Sequence, residues 1–532
     1  MKSFLTTSAF LSRLSFVLCW SISFANAAQN DSRPNIIVIM SDDHAYQAIS
    51  AYGHDLNNTP HIDRLAEEGA LFTRASVTNS ICAPSRAVML TGKHSFRNGK
   101  VDNIQAFDWG QENFAKILQD AGYNTALIGK IHLNGTPQGF DYSNVLPGQG
   151  HYYNPDFIEN GVQKQFPGYV TTLTTDFALD WLREGRDHKK PFLLLYHQKA
   201  PHRAWMPEQK YFDLFANRSF TMPENFFDNY EGRPAAANHE MGIWRDLDLV
   251  YDLKMLDPAG EFQTKYRRLW ESHYGRMDPD QMATWDSHYL PLIADYKAKT
   301  PAGRDLAQWK FDRYMRDYLS CIQSVDDGVG EVLDYLDENG LSENTIVVYT
   351  SDQGFYLGEH GWFDKRFMYE ESFRTPLLVR YPKEIQAGQR SDALVQNLDL
   401  ANTFLDYAGV KAPDDMQGET FRGVVNGTDA DYRDFAYYTY YEYPAEHSVM
   451  RHYGVRTDRF KLIHFYHDLD YWELYDLEVD PTEMNNVYKD PAYAQTRELL
   501  HQKLEDVRAH YGDSDEQNQE HRDRYLEFRA NR

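Results

Sequence analysis

Cys82 and Arg86 are the residues whose types and spacing say most about chemistry in this sequence. Cys82 begins the run Cys-Ala-Pro-Ser-Arg-Ala-Val-Met-Leu-Thr-Gly. A helix is predicted to begin at Cys82, where free backbone N–H groups and the helix dipole favour an anionic centre. Arg86 follows one helical turn later and carries a permanent positive charge. The pattern favours an anionic centre at the start of this helix; the alternative is a buried structural cysteine at a helix start.

Two pairs of oxygen-bearing residues follow apolar segments. Asp42 and Asp43 follow one segment, and Asp352 and Gln353 follow another. An isolated Asp-Asp pair after a strand is more often a cap or a turn. Three carboxylates and one amide nevertheless form an all-oxygen set, which suits Ca²⁺ or Mg²⁺ better than Zn²⁺.

Lysine and histidine side chains occupy similar positions. Lys130 and His132 follow a third apolar segment, His202 follows a fourth, and Lys365 lies shortly after Asp352. Lysine can neutralise negative charge that redistributes in a transition state, and histidine can transfer protons. A single histidine is usually structural, but the shared position after a strand favours a functional interpretation.

Four short apolar segments must position these side chains. They span residues 35–40, 124–128, 192–196 and 345–349, and helical patterns at 62–69, 113–121 and 314–336 separate them. Continuous apolar strands alternating with helices predict an α/β sheet that is buried on both faces. Functional sites in such sheets gather at the carboxyl ends of the strands. We therefore expect the four groups to converge on one pocket.

The sequence pattern changes after a loop at 409–427 that is rich in Gly, Pro and Asp. Short strands are predicted at 436–443, 453–456, 460–465 and 472–476, followed by an amphipathic helix at 494–510. We expect a catalytic domain at 33–425 and a smaller α+β domain at 426–532. The charged segment 512–532 is expected to be mobile.

The C-x-P-S-R motif at Cys82, with the Leu-Thr-Gly that follows, resembles the signature of type I, formylglycine-dependent sulfatases. The resemblance extends from Pro34 to residue 483, and it is strongest to carbohydrate and polysaccharide sulfatases such as N-acetylglucosamine-6-sulfatases. It implies a sulfuric ester hydrolase with the alkaline-phosphatase-like sulfatase fold: a large mixed sheet flanked by helices, plus a smaller C-terminal α+β domain with an antiparallel sheet.

The resemblance also implies a modified nucleophile. A formylglycine-generating enzyme would oxidise Cys82 to formylglycine, whose hydrated aldehyde has two hydroxyl groups. One hydroxyl attacks sulfur, and the other lets the hemiacetal expel sulfate, whereas a thiolate would form a bond with no comparable release. The counterpart of Arg86 holds the oxygens of this hydrate.

The family pattern implies Ca²⁺ rather than Mg²⁺, bound by Asp42, Asp43, Asp352, Gln353 and the modified Cys82. Gln353 departs from the Asn found in many sulfatases. Its carbonyl can still coordinate a metal, but the extra methylene changes its reach.

Proton-transfer and sulfate-binding roles follow from the same resemblance. Lys130 and His132 match the family's G-K-x-H element, His202 its P-H element, and Lys365 a further sulfate-binding lysine. His132 would act as base on the hydrate, and His202 or Lys365 would protonate the leaving alcohol. Three other histidines match no family role and are interpreted as structural: His44, His197 and His360.

Substrate recognition is predicted around Lys365, because segment 355–381 resembles carbohydrate sulfatases. Asp364 and Arg366 could bind sugar hydroxyl groups, and His447 of the smaller domain could reach over the pocket. The alternative is that these are solvated charges.

Three other functions compete with sulfate ester hydrolysis. A phosphonate or phosphodiester hydrolase of the same superfamily could use formylglycine and a similar metal site. A two-zinc phosphatase is disfavoured by the oxygen-only ligands. A non-catalytic carbohydrate-binding homologue would keep the fold, although every position needed for catalysis is occupied apart from the conservative change at Gln353.

Composition restricts the cellular setting. With 54 basic and 79 acidic residues the 532-residue chain carries a formal charge of −25, which opposes non-specific binding to nucleic acid or anionic membranes. Lys2, Arg13, the apolar stretch 14–24 and the Ala-Asn-Ala at 25–27 predict a signal peptide at 1–27. We expect a periplasmic or secreted protein; lipoprotein processing at Cys19 is disfavoured because Leu18 is bulky.

No later stretch reaches the roughly 20 apolar residues of a membrane helix. Without the signal peptide the chain keeps only Cys82 and Cys321. These could form a disulfide, but Cys321 is better interpreted as a small buried apolar residue.

Overall fold

Fourteen strands occur in the residues that the computed structural model describes, which are 33–256, 262–429 and 432–531. In chain order they are β1 Asn35–Ser41, β2 Ala70–Phe72, β3 Asn124–Gly129, β4 Tyr142–Val145, β5 Asp156–Glu159, β6 Val162–Gln165, β7 Phe192–His197, β8 Thr345–Ser351, β9 Leu377–Arg380, β10 Gln389–Ser391, β11 Phe435–Tyr440, β12 His452–Thr457, β13 Phe460–Phe465 and β14 Tyr471–Asp476. The predicted signal peptide at 1–27 lies outside the described residues.

Fifteen α-helices accompany these strands in the same described ranges. They are α1 Pro60–Glu67, α2 Cys82–Thr91, α3 Ser95–Asn98, α4 Phe114–Asp120, α5 Val170–Asp180, α6 Pro234–Ala237, α7 Ile243–Asp246, α8 Arg267–Tyr274, α9 Pro279–Lys299, α10 Gly303–Glu338, α11 Glu370–Phe373, α12 Asp399–Tyr407, α13 Arg422–Val425, α14 Ala494–Tyr511 and α15 Asp515–Ala530. Among the described helices, none combines the length and the apolar character needed to cross a bilayer.

Strands β1 to β10 form one mixed sheet in the order β10-β2-β9-β8-β1-β7-β3-β4-β5-β6. The four strands predicted from the apolar segments are β8, β1, β7 and β3, and they are consecutive, parallel neighbours. Along β1, Ile37 and Ile39 pack into the core on one face, while Ile36 and Val38 pack into the core on the other. Burial on both faces explains why these strands are continuously apolar.

The carboxyl ends of the four strands meet at one edge of the sheet. Met40 is paired with His197, Ser41 with Ser351, and Gly129 with His197. The residues that follow these ends therefore enter the same space, as the sequence predicts.

Helix α2 begins at this edge. Ile81 before it is extended, with φ −150° and ψ 140°, and Gly92 after it adopts the left-handed conformation at φ 61°. Pro84 lies in the first turn, where a missing N–H costs no helical hydrogen bond. All ten residues of the helix are buried, so its N-terminus points Cys82 into the protein rather than into water.

The C-terminal region forms the predicted antiparallel sheet, in the order β11-β12-β13-β14. Helix α14 packs on it through Leu500, Leu504 and Val507, which share a core with Val455 and Leu462. The α+β character of this region is confirmed.

Segment 512–532 was expected to be mobile, but α15 fills most of it and packs on the protein. Ser514 caps the helix by accepting the Gln517 N–H at 3.3 Å. Tyr525 is buried and its hydroxyl donates to the Pro444 carbonyl at 2.9 Å. Helix α15 packs through a tyrosine and polar contacts rather than an apolar stripe. Hydrophobic periodicity in the sequence therefore does not predict this helix.

Candidate functional site

Three carboxylates form the centre of the site. Ligand oxygens of Asp42, Asp43 and Asp352 lie within 4.8 Å of one another, and all three residues are buried. Asp43 has a φ of 67°, which turns the chain at the end of β1; aspartate tolerates this conformation better than most residues. Its N–H donates to Asp352 Oδ1 at 3.1 Å.

The carboxylate group fits a divalent cation. Burial raises the pKa of Asp43 to about 7, although Lys365 opposes the shift. Asp43 Oδ2 and Gln353 Oε1 are buried and have no hydrogen-bond partner in the described part of the chain. Unsatisfied oxygens and clustered carboxylates are costly in a protein interior unless a positive charge compensates them. Oxygen ligands of this kind are typical for hard divalent ions.

Cys82 lies against this cluster. Its Sγ is 3.5 Å from Asp42 Oδ1 and 3.4 Å from Lys365 Nζ. Burial raises the pKa of the Cys82 thiol to about 12, with Lys365 opposing the shift. The encoded thiol is therefore protonated at neutral pH and a poor nucleophile, which agrees with a precursor better than with a finished catalytic group.

Arg86 connects several parts of the site. Its Nε donates to Asp352 Oδ2 at 3.0 Å, and Nη1 donates to the Lys130 carbonyl at 2.6 Å. Nη2 is 4.0 Å from Asp42 Oδ1 and has no hydrogen-bond partner among the residues described. This buried N–H group remains available for an anionic oxygen.

The two predicted lysines contact the carboxylates from different sides. Lys130 Nζ contacts Asp42 Oδ2, and Lys365 Nζ contacts Asp43 Oδ1. Burial and nearby Lys199 lower the pKa of Lys130. For Lys365, burial is outweighed by the carboxylates and Cys82, which raise its pKa, so Lys365 stays cationic.

The two predicted histidines are neutral. Burial and neighbouring lysines hold the pKa of His132 and His202 well below the usual range. His202 Nδ1 donates to the Arg203 carbonyl at 2.6 Å, and its Nε2 lies 3.9 Å from Asp43 Oδ2. Because a carbonyl can only accept, Nδ1 carries the proton and Nε2 keeps a lone pair. His132 Nδ1 has no hydrogen-bond partner within the described ranges.

The three predicted substrate-binding residues form one group beside Lys365, in which Arg366 and His447 each contact Asp364. Arg366 Nη1 donates to Asp364 Oδ1 at 3.0 Å, and His447 Nε2 is 3.3 Å from Asp364 Oδ2. Each has a positive φ: 75° for Asp364, 98° for Arg366 and 71° for His447. Three non-glycine residues in this region of φ/ψ space are a concentration of strain typical of functional sites. We call these residues the substrate-binding trio.

Sequence reasoning missed Lys199 and Gln149. Lys199 Nζ donates to the Gln149 carbonyl at 3.0 Å, and Gln149 Oε1 contacts Lys130 Nζ. Burial lowers the pKa of Lys199 to about 8. Lys199 lies just after β7, so its position could have revealed it; Gln149 lies in a loop with no such signal.

The histidines interpreted as structural have their own partners. His44 Nδ1 is 2.6 Å from the Tyr349 hydroxyl, and His360 Nδ1 is 2.9 Å from Asp228 Oδ2. Cys82 and Cys321 are both free and buried, so the possible disulfide between them is not formed.

An α/β sheet with clustered carboxylates, lysines and a buried cysteine at one edge fits the class of metal-assisted hydrolases that act on anionic esters. Residues 34–410 match the family model described as Sulfatase, and residues 358–510 match the one described as N-sulphoglucosamine sulphohydrolase, C-terminal. The chain belongs to the sulfatase family and is a sulfuric ester hydrolase. This family in general uses formylglycine and a divalent metal.

Similar proteins cover nearly the whole chain. An N-acetylglucosamine-6-O-sulfatase of Bacteroides thetaiotaomicron is 50% identical, over 93% of this chain and 89% of that protein. A solved structure of a complex with the substrate D-glucosamine-2-N,6-O-disulfate is also 50% identical and has a TM-score of 0.88, over 91% of this chain and 99% of the other. An arylsulfatase of Clostridium perfringens is 25% identical, over 90% of this chain and 96% of that protein. The predicted alkaline-phosphatase-like sulfatase fold is confirmed.

Proposed function

We propose that this sulfatase removes a 6-O-sulfate from a glucosamine-type sugar or from a sulfated polysaccharide that contains it. The observation that carries the proposal is the 50% identity, over 93% of this chain, to an N-acetylglucosamine-6-O-sulfatase. Substrate-binding residues beside Lys365 support it, because Asp364, Arg366 and His447 offer hydrogen-bonding groups for sugar hydroxyls.

Cys82 is proposed as the precursor of formylglycine, made by a formylglycine-generating enzyme. When present, the hydrated aldehyde supplies a hydroxyl nucleophile and a second hydroxyl that allows sulfate to leave. The protein places this residue at the start of α2, against Lys365 and Asp42. Arg86 Nη2 has no hydrogen-bond partner in the described part of the chain and could donate to the oxygens of the hydrate.

The metal is proposed to be Ca²⁺, held by Asp42, Asp43, Asp352 and Gln353 together with the modified Cys82. Bound there, the ion would neutralise charge on the sulfate oxygens. Gln353 Nε2 contacts Asp43 Oδ1 and its Oε1 is unpartnered within the described residues, so the amide can turn its oxygen toward an ion.

Proton movement is proposed to use the neutral histidines. His132 would accept a proton from the nucleophile, since the imidazole is neutral and its Nδ1 has no hydrogen-bond partner within the described residues. Lys365, which stays cationic, would protonate the leaving alcohol oxygen; His202 could do so instead only after its Nε2 had taken up a proton. Lys130 and Lys365 would hold the sulfate oxygens.

Export and domain organisation remain predictions. The signal peptide at 1–27 would direct the chain to the periplasm or outside the cell, and we propose a catalytic domain at 33–425 followed by a smaller domain at 426–532.

A desulfation screen tests the function. Protein whose Cys82 peptide has been checked by mass spectrometry would be offered sulfated mono- and oligosaccharides and aryl, phosphate and phosphonate esters. We expect release of 6-O-sulfate from glucosamine-type sugars, and much slower turnover of the phosphorus esters. Faster turnover of the phosphorus esters would support a hydrolase of the other superfamily branch, and sugar binding with no turnover would support a non-catalytic homologue.

Alanine at Arg366 is expected to weaken substrate binding. Loss of a charged hydrogen-bond donor costs about 1.5–3 kcal/mol, so KM for a 6-O-sulfated glucosamine should rise roughly 10-fold or more, with a smaller change in kcat. Steady-state kinetics measure both constants.

Arg456→Ala is the matched control, because Arg456 is as buried as Arg366 and also faces a carboxylate, with its Nε 3.6 Å from Glu370 Oε1. It should lower thermal stability and leave KM unchanged. Unchanged KM and kcat in Arg366→Ala would remove Arg366 from the site.

A further inference from the structure

A cleft of about 730 Å³ opens beside the substrate-binding trio. His447 belongs to both, and Glu446 lines the cleft while its carbonyl lies 3.4 Å from Arg366 Nε. Its size falls within the roughly 300–1,000 Å³ typical of ligand pockets. A ligand held by Arg366 and His447 can therefore continue into the cleft.

Cations from three separate segments reach this cleft: Arg245 of α7, Lys265 before α8, and Arg529 of α15. All three are exposed, and none has an ion pair with a carboxylate within the described residues; Arg245 Nη2 donates to His239 Nε2 at 2.8 Å. Their convergence runs against the formal charge of −25 on the whole chain. Cations that lack a carboxylate partner in a concave site favour an anionic ligand.

The carboxylates of the cleft have partners of their own. Glu446 Oε1 accepts from the Tyr266 hydroxyl at 2.7 Å and lies 3.3 Å from Arg203 Nη1. Asp246 Oδ2 accepts the Gly242 N–H at 2.7 Å. Asp246 and Glu240 have no cationic side-chain partner within the described ranges, so the three cations Arg245, Lys265 and Arg529 outnumber the two carboxylates that oppose an anionic ligand.

Two exposed aromatic residues continue the cleft on the far side of Arg245. Trp244 is 45% exposed and Phe227 is 39% exposed, and their ring centroids are 6.4 Å apart. Both line a smaller pocket that shares Arg245 with the cleft. The Arg304 guanidinium lies over the Phe227 ring, 4.1 Å from its centroid, so Trp244 offers the apolar surface on which a sugar ring can pack.

We propose that this cleft binds the sugar unit adjoining the one whose sulfate is cleaved, through a carboxylate or sulfate on that neighbour. The inference rests on the proposed function and deepens it: the preferred substrate is an anionic oligosaccharide. Lys265 and Arg529 attract the neighbour's negative charge, and Trp244 contacts sugar further along the chain.

The test compares kcat/KM on four substrates: a 6-O-sulfated glucosamine, and disaccharides that join it to a neutral, a carboxylated or a sulfated neighbour. Wild type should prefer the anionic disaccharides. In a Lys265→Ala, Arg529→Ala double variant, kcat/KM on them should fall about 5- to 10-fold, to the level of the neutral disaccharide. Turnover of the monosaccharide should stay within about twofold, because neither residue contacts the trio.

Lys189→Ala is the matched control. Lys189 is exposed and precedes β7, at the opposite edge of the sheet from the carboxyl ends, so it should change no substrate preference. The preference of wild type should also shrink at high salt, since exposed charges are screened. Whether the carboxylated or the sulfated neighbour gives the larger effect identifies the anion.

Equal turnover of charged and neutral disaccharides, or equal loss on all four substrates in the double variant, would overturn the inference while leaving the proposed function intact. Failure to turn over any 6-O-sulfated sugar would instead reject the proposed function. Calorimetry of the anionic disaccharides on Cys82→Ala protein then tests binding in the cleft independently of turnover. Weaker binding after the double substitution supports the proposed role of the cleft, and unchanged binding rejects that role.

Discussion

Alanine at Cys82 is expected to reduce sulfate release by about 10⁴-fold or more, because it removes the proposed precursor of the nucleophile. Binding of the sugar sulfate should survive, since the lysines, Arg86 and the substrate-binding trio are unchanged. The measurement is sulfate released per enzyme, with mass spectrometry of the Cys82 peptide in the wild type. Wild-type protein that keeps an unmodified thiol should be nearly as inactive, because burial raises the pKa of that thiol to about 12.

Cys321→Ala is the control for this experiment. Cys321 is as buried as Cys82 and also free, but it lies in the middle of α10. The substitution should lower the melting temperature slightly and leave kcat unchanged. Substantial activity in Cys82→Ala, or an equal loss in Cys321→Ala, would contradict a nucleophile at position 82.

Asparagine at Asp352 is expected to lower kcat/KM roughly 10³-fold. A bound metal contributes several kcal/mol of transition-state stabilisation, and each 1.4 kcal/mol or so that is lost lowers the rate about tenfold. Asparagine has the same shape as Asp352, whose carboxylate accepts the Asp43 N–H at 3.1 Å and the Arg86 Nε–H at 3.0 Å. It removes one of three clustered negative charges. Metal content after dialysis, and Ca²⁺ affinity by calorimetry, should fall together with activity.

Asp326→Asn is the matched substitution outside the site. Asp326 is also buried, and its carboxylate accepts the N–H groups of His61 and Ile62 at the start of α1. It should cost stability and leave metal content unchanged. If Asp352→Asn bound Ca²⁺ as tightly as wild type, Asp352 would not be a ligand; equal loss of metal in both variants would indicate a general effect on folding.

The sequence by itself determined the core of the sheet and the group of residues at its edge. Strands β8, β1, β7 and β3 are buried on both faces, so each must be continuously apolar, and the polar residue that ends the run stands out. Cys82 and Arg86 could also be identified from the sequence, because all residues of their motif are close together along the chain.

Only the tertiary structure decided what these residues touch. Asp43 and Asp352 are 309 positions apart along the chain and are joined by a hydrogen bond. They are close in space because β1 and β8 are neighbours in the sheet, which no local sequence pattern shows. Gln149 comes from a loop, the trio depends on positive φ values that side-chain type does not dictate, and Arg529 reaches the cleft from a helix without an apolar stripe. Local patterns report burial along one element, whereas a site depends on which elements become neighbours.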